Sequence, residues 1–122
     1  MAALGGFVHP DIFRGAISWC GGNFYRDYPD STKANRWTYG IANAHHIKDA
    51  VTANNVADAK RNVRFVLITG SNDFNRSDSH DIDAMMKQEL FQSLLIEEPG
   101  LGHAVGSEKT MRRALEFVLG TR

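Results

Sequence analysis

Two segments of the sequence carry residues suited to acid–base chemistry. In Phe65-Val66-Leu67-Ile68-Thr69-Gly70-Ser71-Asn72-Asp73 an apolar run ends in a polar turn that holds a carboxylate. In Glu98-Pro99-Gly100-Leu101-Gly102-His103 a second turn holds an imidazole. A carboxylate that orients a histidine, and a histidine that takes a proton from a hydroxyl or thiol, make up the acid and base of a nucleophile–His–acid triad. Taken singly, Asp73 reads as an Asx-turn residue and His103 as a loop histidine. Their order and spacing favour the triad positions. The nucleophile is the missing member, since the chain holds no G-x-S-x-G turn. Ser18-Trp19-Cys20-Gly21-Gly22 is a near miss and would place Cys20, Asp73 and His103 in triad order. A nucleophile elbow leads from a strand into a helix. The residues after Cys20, Asn23-Phe24-Tyr25-Arg26-Asp27-Tyr28-Pro29, lack helical periodicity. Cys20 is therefore read first as a small buried hydrophobe, and a Cys20–Asp73–His103 thiol hydrolase is the weaker alternative.

Other polar clusters read as ordinary structure. The run from Asp73 to Asp78 looks like a calcium loop, but Asp78 stands where a glycine is needed and Ala84 where a bidentate Glu is needed. His45, His46 and Asp49 are of metal-binding type, with no fourth ligand at a recognised spacing, and read as solvated surface. His80 among Asp78, Asp81 and Asp83 reads as the first turn of a helix with dipole-matched acids. No cofactor and no metal is expected.

The elements that must position Asp73 and His103 follow from hydrophobic period and punctuation. Residues 1–8 read as a helix end stopped by His9-Pro10-Asp11. Gly15 to Cys20 reads as a strand closed by Gly21-Gly22, and residues 23–40 as a long ordered loop. A short helix is placed near Asn55–Arg61. Val63 to Ile68 is nearly continuous apolar, the pattern of a strand covered on both faces in a parallel sheet. A helix capped by Asp78 or Ser79 follows, with Ile82, Met85, Met86 and Leu90 as its apolar face. Ser93 to Ile96 is the next strand. Ser107 caps a last helix whose Met111, Ala114, Leu115, Val118 and Leu119 match the amphipathic template. The alternation predicts βαβ units around a parallel sheet of about three strands with flanking helices, in one domain over residues 1–122. Right-handed crossovers put the strand C-termini on one edge, so Asp73 and His103 share it, on strands about 4.8 Å apart. Trp19, Phe24, Tyr25, Tyr28, Trp37 and Tyr39 gather near the long loop and read mainly as burial of that loop against the sheet.

Bulk properties exclude several classes of function. Lys plus Arg and Asp plus Glu both number 14, so the net charge is zero, and no basic stripe points to nucleic acid. No apolar run approaches the roughly 18 residues of a membrane span. The start Met1-Ala2-Ala3-Leu4-Gly5-Gly6 lacks a signal peptide's basic region. The single Cys20 suits a reducing compartment. A cytoplasmic protein is expected.

Together the motifs resemble the C-terminal half of an α/β-hydrolase of the esterase, feruloyl-esterase and polyhydroxyalkanoate-depolymerase type. The resemblance rests on His9-Pro10-Asp11-Ile12-Phe13 as the turn before a strand, on Thr69 to Arg76 as the loop of the triad acid, and on Pro99 to His103 as the loop of the triad histidine. It implies a carboxylester hydrolase fold with Asp73 and His103 in catalytic positions. The family's nucleophile elbow and oxyanion segment have no counterpart in these residues. The resemblance thus implies a truncated hydrolase-like domain, inactive as this chain, or alternatively the C-terminal fragment of an active serine carboxylester hydrolase. It also implies an unpaired edge on the Gly15–Cys20 strand, and hence a homodimer through that edge.

Overall fold

The computed structural model describes residues 2–21 and 53–120. The long loop expected at 23–40, its aromatic residues, and His45, His46 and Asp49 lie outside the described residues. The elements are α1 (Ala2–Val8), β1 (Gly15–Trp19), α2 (Ala53–Asn62), β2 (Arg64–Gly70), α3 (Arg76–Gln88), β3 (Gln92–Glu98) and α4 (Glu108–Leu119). The strands form one parallel sheet in the order β1-β2-β3. Among the described residues no helix is long and apolar enough to cross a membrane.

The continuous apolar run of β2 is explained by its central place. Its side chains alternate between two cores, as the pleat requires. Phe65 and Leu67 face Phe7, Ala59, Val63, Ile82, Met86 and Phe91, contributed by α1, α2, α3 and their ends. Val66 and Ile68 face Ile96 and Ala114, with Ile17, Trp19, Leu94, Phe117 and Val118 packed around them. Both crossover helices, α2 and α3, thus cover one face, and α4 covers the other. Phe7, Phe65 and Phe91 form a stacked and edge-on trio with centroids 4.6 to 5.9 Å apart. Trp19 packs, partly buried, against the second core.

Several boundaries and faces differ from expectation. Helix α3 starts at Arg76 with Asn75 in the N-cap position, ahead of the expected Asp78 or Ser79. The Asp73 turn is the cause. Its carboxylate accepts the Asn75 N–H at 3.0 Å and its carbonyl accepts the Arg76 N–H at 3.1 Å, so the chain is already curled when it reaches Arg76. Asp78 and Ser79 are buried inside the first turns instead. Helix α4 begins after Ser107, whose hydroxyl accepts the Thr110 N–H. That cap is the expected one. Its buried stripe, however, is Thr110, Ala114, Phe117 and Val118, while Leu115 and Leu119 are exposed. The apolar arc of α4 is wider than the sheet can cover, and the part beyond it faces out.

Leu90 was expected on the core face of α3 and is 81% exposed. It sits past the helix end with φ 65°, and the amides of Leu90 and Phe91 bond the carbonyls of Lys87 and Met86. This is a Schellman ending with leucine in the left-handed position that glycine normally fills. Relief of about 1–2 kcal/mol of backbone strain outweighs the extra unfolded-state freedom of glycine, about 0.5–1 kcal/mol. Leu90→Gly should therefore raise stability by about 0.5–1 kcal/mol, read as a higher urea midpoint at unchanged slope. A lower midpoint would show that Leu90 contributes packing.

Candidate active site

The parallel register brings Trp19, Ile68 and Ile96 into one row; β1 ends there, and β2 and β3 end together two residues further on, at Gly70 and Glu98. Cys20 follows β1, Asp73 lies just past β2, and His103 lies past β3. The three loops meet at one corner of the sheet, the edge where ligands of open α/β sheets bind.

Backbone bonds lock the acid loop to the histidine loop. Ser71 N–H donates to the Glu98 carbonyl (3.1 Å), Asn72 N–H to the Leu101 carbonyl (3.0 Å), and Gly100 N–H to Ser71 Oγ (2.8 Å). The far end of the histidine loop is tied down by Ser107 N–H on the Glu98 carboxylate at 2.9 Å. His103 itself sits at the apex of a three-residue turn closed by Ala104 N–H on the Gly102 carbonyl, 2.9 Å. The third loop is joined through Asn75, whose side-chain amide donates to the Cys20 carbonyl at 2.7 Å.

Within this frame Asp73 and His103 meet. His103 Nδ1 lies 2.9 Å from Asp73 Oδ1. The Asp73 side chain is fully buried, while that of His103 is 45% exposed, so the imidazole has one edge on the acid and the rest toward solvent. The other Asp73 oxygen accepts the Thr69 hydroxyl at 2.9 Å. Burial works to raise the Asp73 pKa, yet the Asn75 N–H, His103, the Cys20 thiol and the Thr69 hydroxyl outweigh it and hold the carboxyl below its usual value.

Cys20 stands on the acid side of this pair. It is buried, with φ 47°, and its sulfur lies 3.6 Å from the Ala104 carbonyl and 3.9 Å from that of Gly102. Burial first, then the hydrogen bond to Asp73 and its negative charge, push the thiol pKa up to about 11. Reactive thiolates occur in electropositive surroundings, and this one is the reverse. Among the described residues no hydrogen bond joins the thiol to His103, and no serine or threonine hydroxyl bonds to the imidazole.

Phe74 is a residue that sequence reasoning passed over. Its ring stacks on His103 with centroids 4.2 Å apart and planes 22° from parallel, although Phe74 is 70% exposed. The one signal available was an aromatic residue directly beside the acid. Phe74→Ala should leave the fold intact and free the imidazole at a cost of about 0.5–1.5 kcal/mol. The check is NMR: His103 ring protons should lose their ring-current shift while core methyl resonances stay fixed.

A solved structure shares the fold. The chain superposes on the crystal structure of the apoenzyme of an S-formylglutathione hydrolase from Staphylococcus aureus, with a TM-score of 0.60 and 14% identity. The match covers 96% of this chain and 49% of that one. The fold is that of an α/β-hydrolase. The chain spans about half the length of that enzyme's chain and is consistent with the C-terminal part of the fold. No protein-family model and no curated protein matches the sequence.

Proposed function

We propose that this chain is an α/β-hydrolase-like domain that supplies the acid and the histidine of a carboxylester-hydrolase site, Asp73 and His103, and is inactive by itself. The observation that supports the reading is the 2.9 Å bond between Asp73 and His103 Nδ1 on loops past neighbouring parallel strands. In a triad the acid fixes the tautomer with the proton on Nδ1 and leaves Nε2 free to accept a proton from a nucleophile. Cys20 is poorly suited to be that nucleophile, because its thiol stays protonated beside the acid. The alternative is that the same residues belong to an active serine esterase whose nucleophile comes from another segment. The thiol hydrolase remains the weaker reading.

The test is ester hydrolysis by the 122-residue chain. Turnover of p-nitrophenyl acetate should not exceed background, because without the nucleophile the covalent route is closed. Turnover abolished by Cys20→Ala would instead establish the thiol reading. Turnover lost with His103→Ala but kept with Cys20→Ala would establish a hydroxyl nucleophile and the serine-esterase reading. An in-frame G-x-S-x-G coding segment directly upstream would likewise favour the serine esterase.

A second reading concerns assembly. Among the described residues β1 pairs only with β2, and Ile12 and Phe13 beside it are 65% and 46% exposed. An open edge flanked by apolar side chains is a template for pairing. We propose a two-fold homodimer through this edge. Light scattering at micromolar concentration should give twice the 13.6 kDa chain mass. A monodisperse 13.6 kDa species would refute the dimer.

A further inference from the structure

We propose that Cys20, Asp73 and His103 together form a binding site for a divalent zinc ion. The sequence put these three residues in triad order but at no metal-ligand spacing, since they lie on three separate loops that the parallel register brings to one edge. The thiol sulfur, a carboxylate oxygen and an imidazole nitrogen all lie within 4.8 Å of one another. A tetrahedral zinc ion bound at about 2.0 Å to N and O and about 2.3 Å to S spaces its donors about 3.3–3.6 Å apart. The cluster therefore needs adjustments of up to about 1.5 Å, and His103, half exposed at the tip of a three-residue turn, is the member placed to make them.

The donor set selects the ion. One sulfur, one nitrogen and one carboxylate oxygen suit zinc, whereas calcium and magnesium call for oxygen alone. Thiolate and carboxylate carry one negative charge each, which balances the ion's two positive charges, and the neutral imidazole leaves the complex neutral. The outer shell is present as well. Thr69 Oγ1 and the Asn75 N–H hold the Asp73 oxygens at 2.9 and 3.0 Å, the kind of support that fixes ligand orientation in metal sites. The exposed edge of His103 gives the ion a way in and leaves the fourth position for water.

The chemistry balances without a co-reactant. Zinc forms a bond to Cys20 sulfur and the thiol proton leaves to solvent. Zinc bonds His103 at Nδ1, which gives up its proton to solvent while Nε2 takes one up, so the imidazole stays neutral and the thiol proton is the one net proton released. The ion takes the place of the Asp73–His103 hydrogen bond. The proposal rests on this geometry and not on any esterase activity, so the two readings can fail separately.

The experiment uses the full 122-residue chain with cobalt(II) as a spectroscopic probe and zinc as competitor. Cobalt should bind one ion per chain with release of one proton and a near-ultraviolet thiolate-to-metal charge-transfer band, which zinc abolishes by displacing the cobalt. Cys20→Ser should remove that band. His103→Ala, at an exposed position that does not threaten folding, should weaken zinc at least tenfold, and Thr69→Val should weaken it about 10-fold as an outer partner. Circular dichroism identifies any variant that fails to fold, and His103→Ala keeps the test decisive if Cys20→Ser does. Cobalt binding without the charge-transfer band, or zinc affinity unchanged in His103→Ala, would overturn the proposal and assign the ion to surface histidines.

Discussion

Gly70→Ala should destabilise the chain by about 3 kcal/mol or more, the upper end of what overpacking costs. A Cβ on Gly70 would lie 1.9 Å from the Leu101 carbonyl oxygen, 2.4 Å from its carbon and 2.8 Å from its Cβ. The obstacle is backbone, so no rotamer change relieves it. The same Leu101 carbonyl accepts the Asn72 N–H at 3.0 Å, so moving it also breaks a bond between the acid and histidine loops. The substitution should therefore separate Asp73 from His103 as well as lower the urea midpoint. Gly102→Ala is the control: nothing lies within 4 Å of its Cβ position and its φ is not positive, so it should stay within about 0.5 kcal/mol of the parent. Equal midpoints for the two variants would mean that the loops are not packed as described.

Asp73→Ala should cost about 3 kcal/mol. It leaves the fully buried Thr69 hydroxyl and the Asn75 N–H without their acceptor, each worth about 1–3 kcal/mol when stranded, with part recovered by water. His103→Ala should cost under about 1 kcal/mol, because the imidazole is half exposed and only one of several donors to Asp73. Asp73→Asn should fall between them, since its carbonyl oxygen still accepts while the Thr69 hydroxyl must turn. The pH dependence has a definite sign. The folded pKa of Asp73 is depressed below its ordinary 3.8, so the unfolded chain takes up the proton first as pH falls. The stability contributed by the ionised group is fully present above that ordinary value and is lost as pH falls through the folded one. Urea midpoints measured down the acid limb should fall more steeply for the parent than for Asp73→Asn. Parallel acid limbs would show that Asp73 is not held ionised by its donors.

Much of this molecule was written locally. The strands and helices were legible because each is marked by signals a few residues apart: the apolar run of β2, the Ser107 cap, the stop at His9-Pro10-Asp11. The placement of Asp73 and His103 on one edge also followed from sequence, since βαβ alternation fixes where strand ends point. The start of α3 did not, because it depends on the Asp73 carboxylate accepting the Asn75 N–H two residues on, a turn whose strength comes from burial. The outward stripe of α4 did not, because periodicity gives an apolar arc but not how much of it a three-stranded sheet can cover.

What only the tertiary structure decided is the company each chemical group keeps. Phe74 on His103, Asn75 on Cys20 and Cys20 beside Asp73 join residues separated by a whole crossover, with Asn75 and Cys20 55 positions apart. No local pattern encodes such a pairing. Sequence fixes which groups stand at the ends of strands, because propensity and hydrophobic period act over one or two turns. Register and burial then decide which of those groups touch and which protons they hold, because a hydrogen bond or a charge is felt over a few ångströms of space and not along the chain.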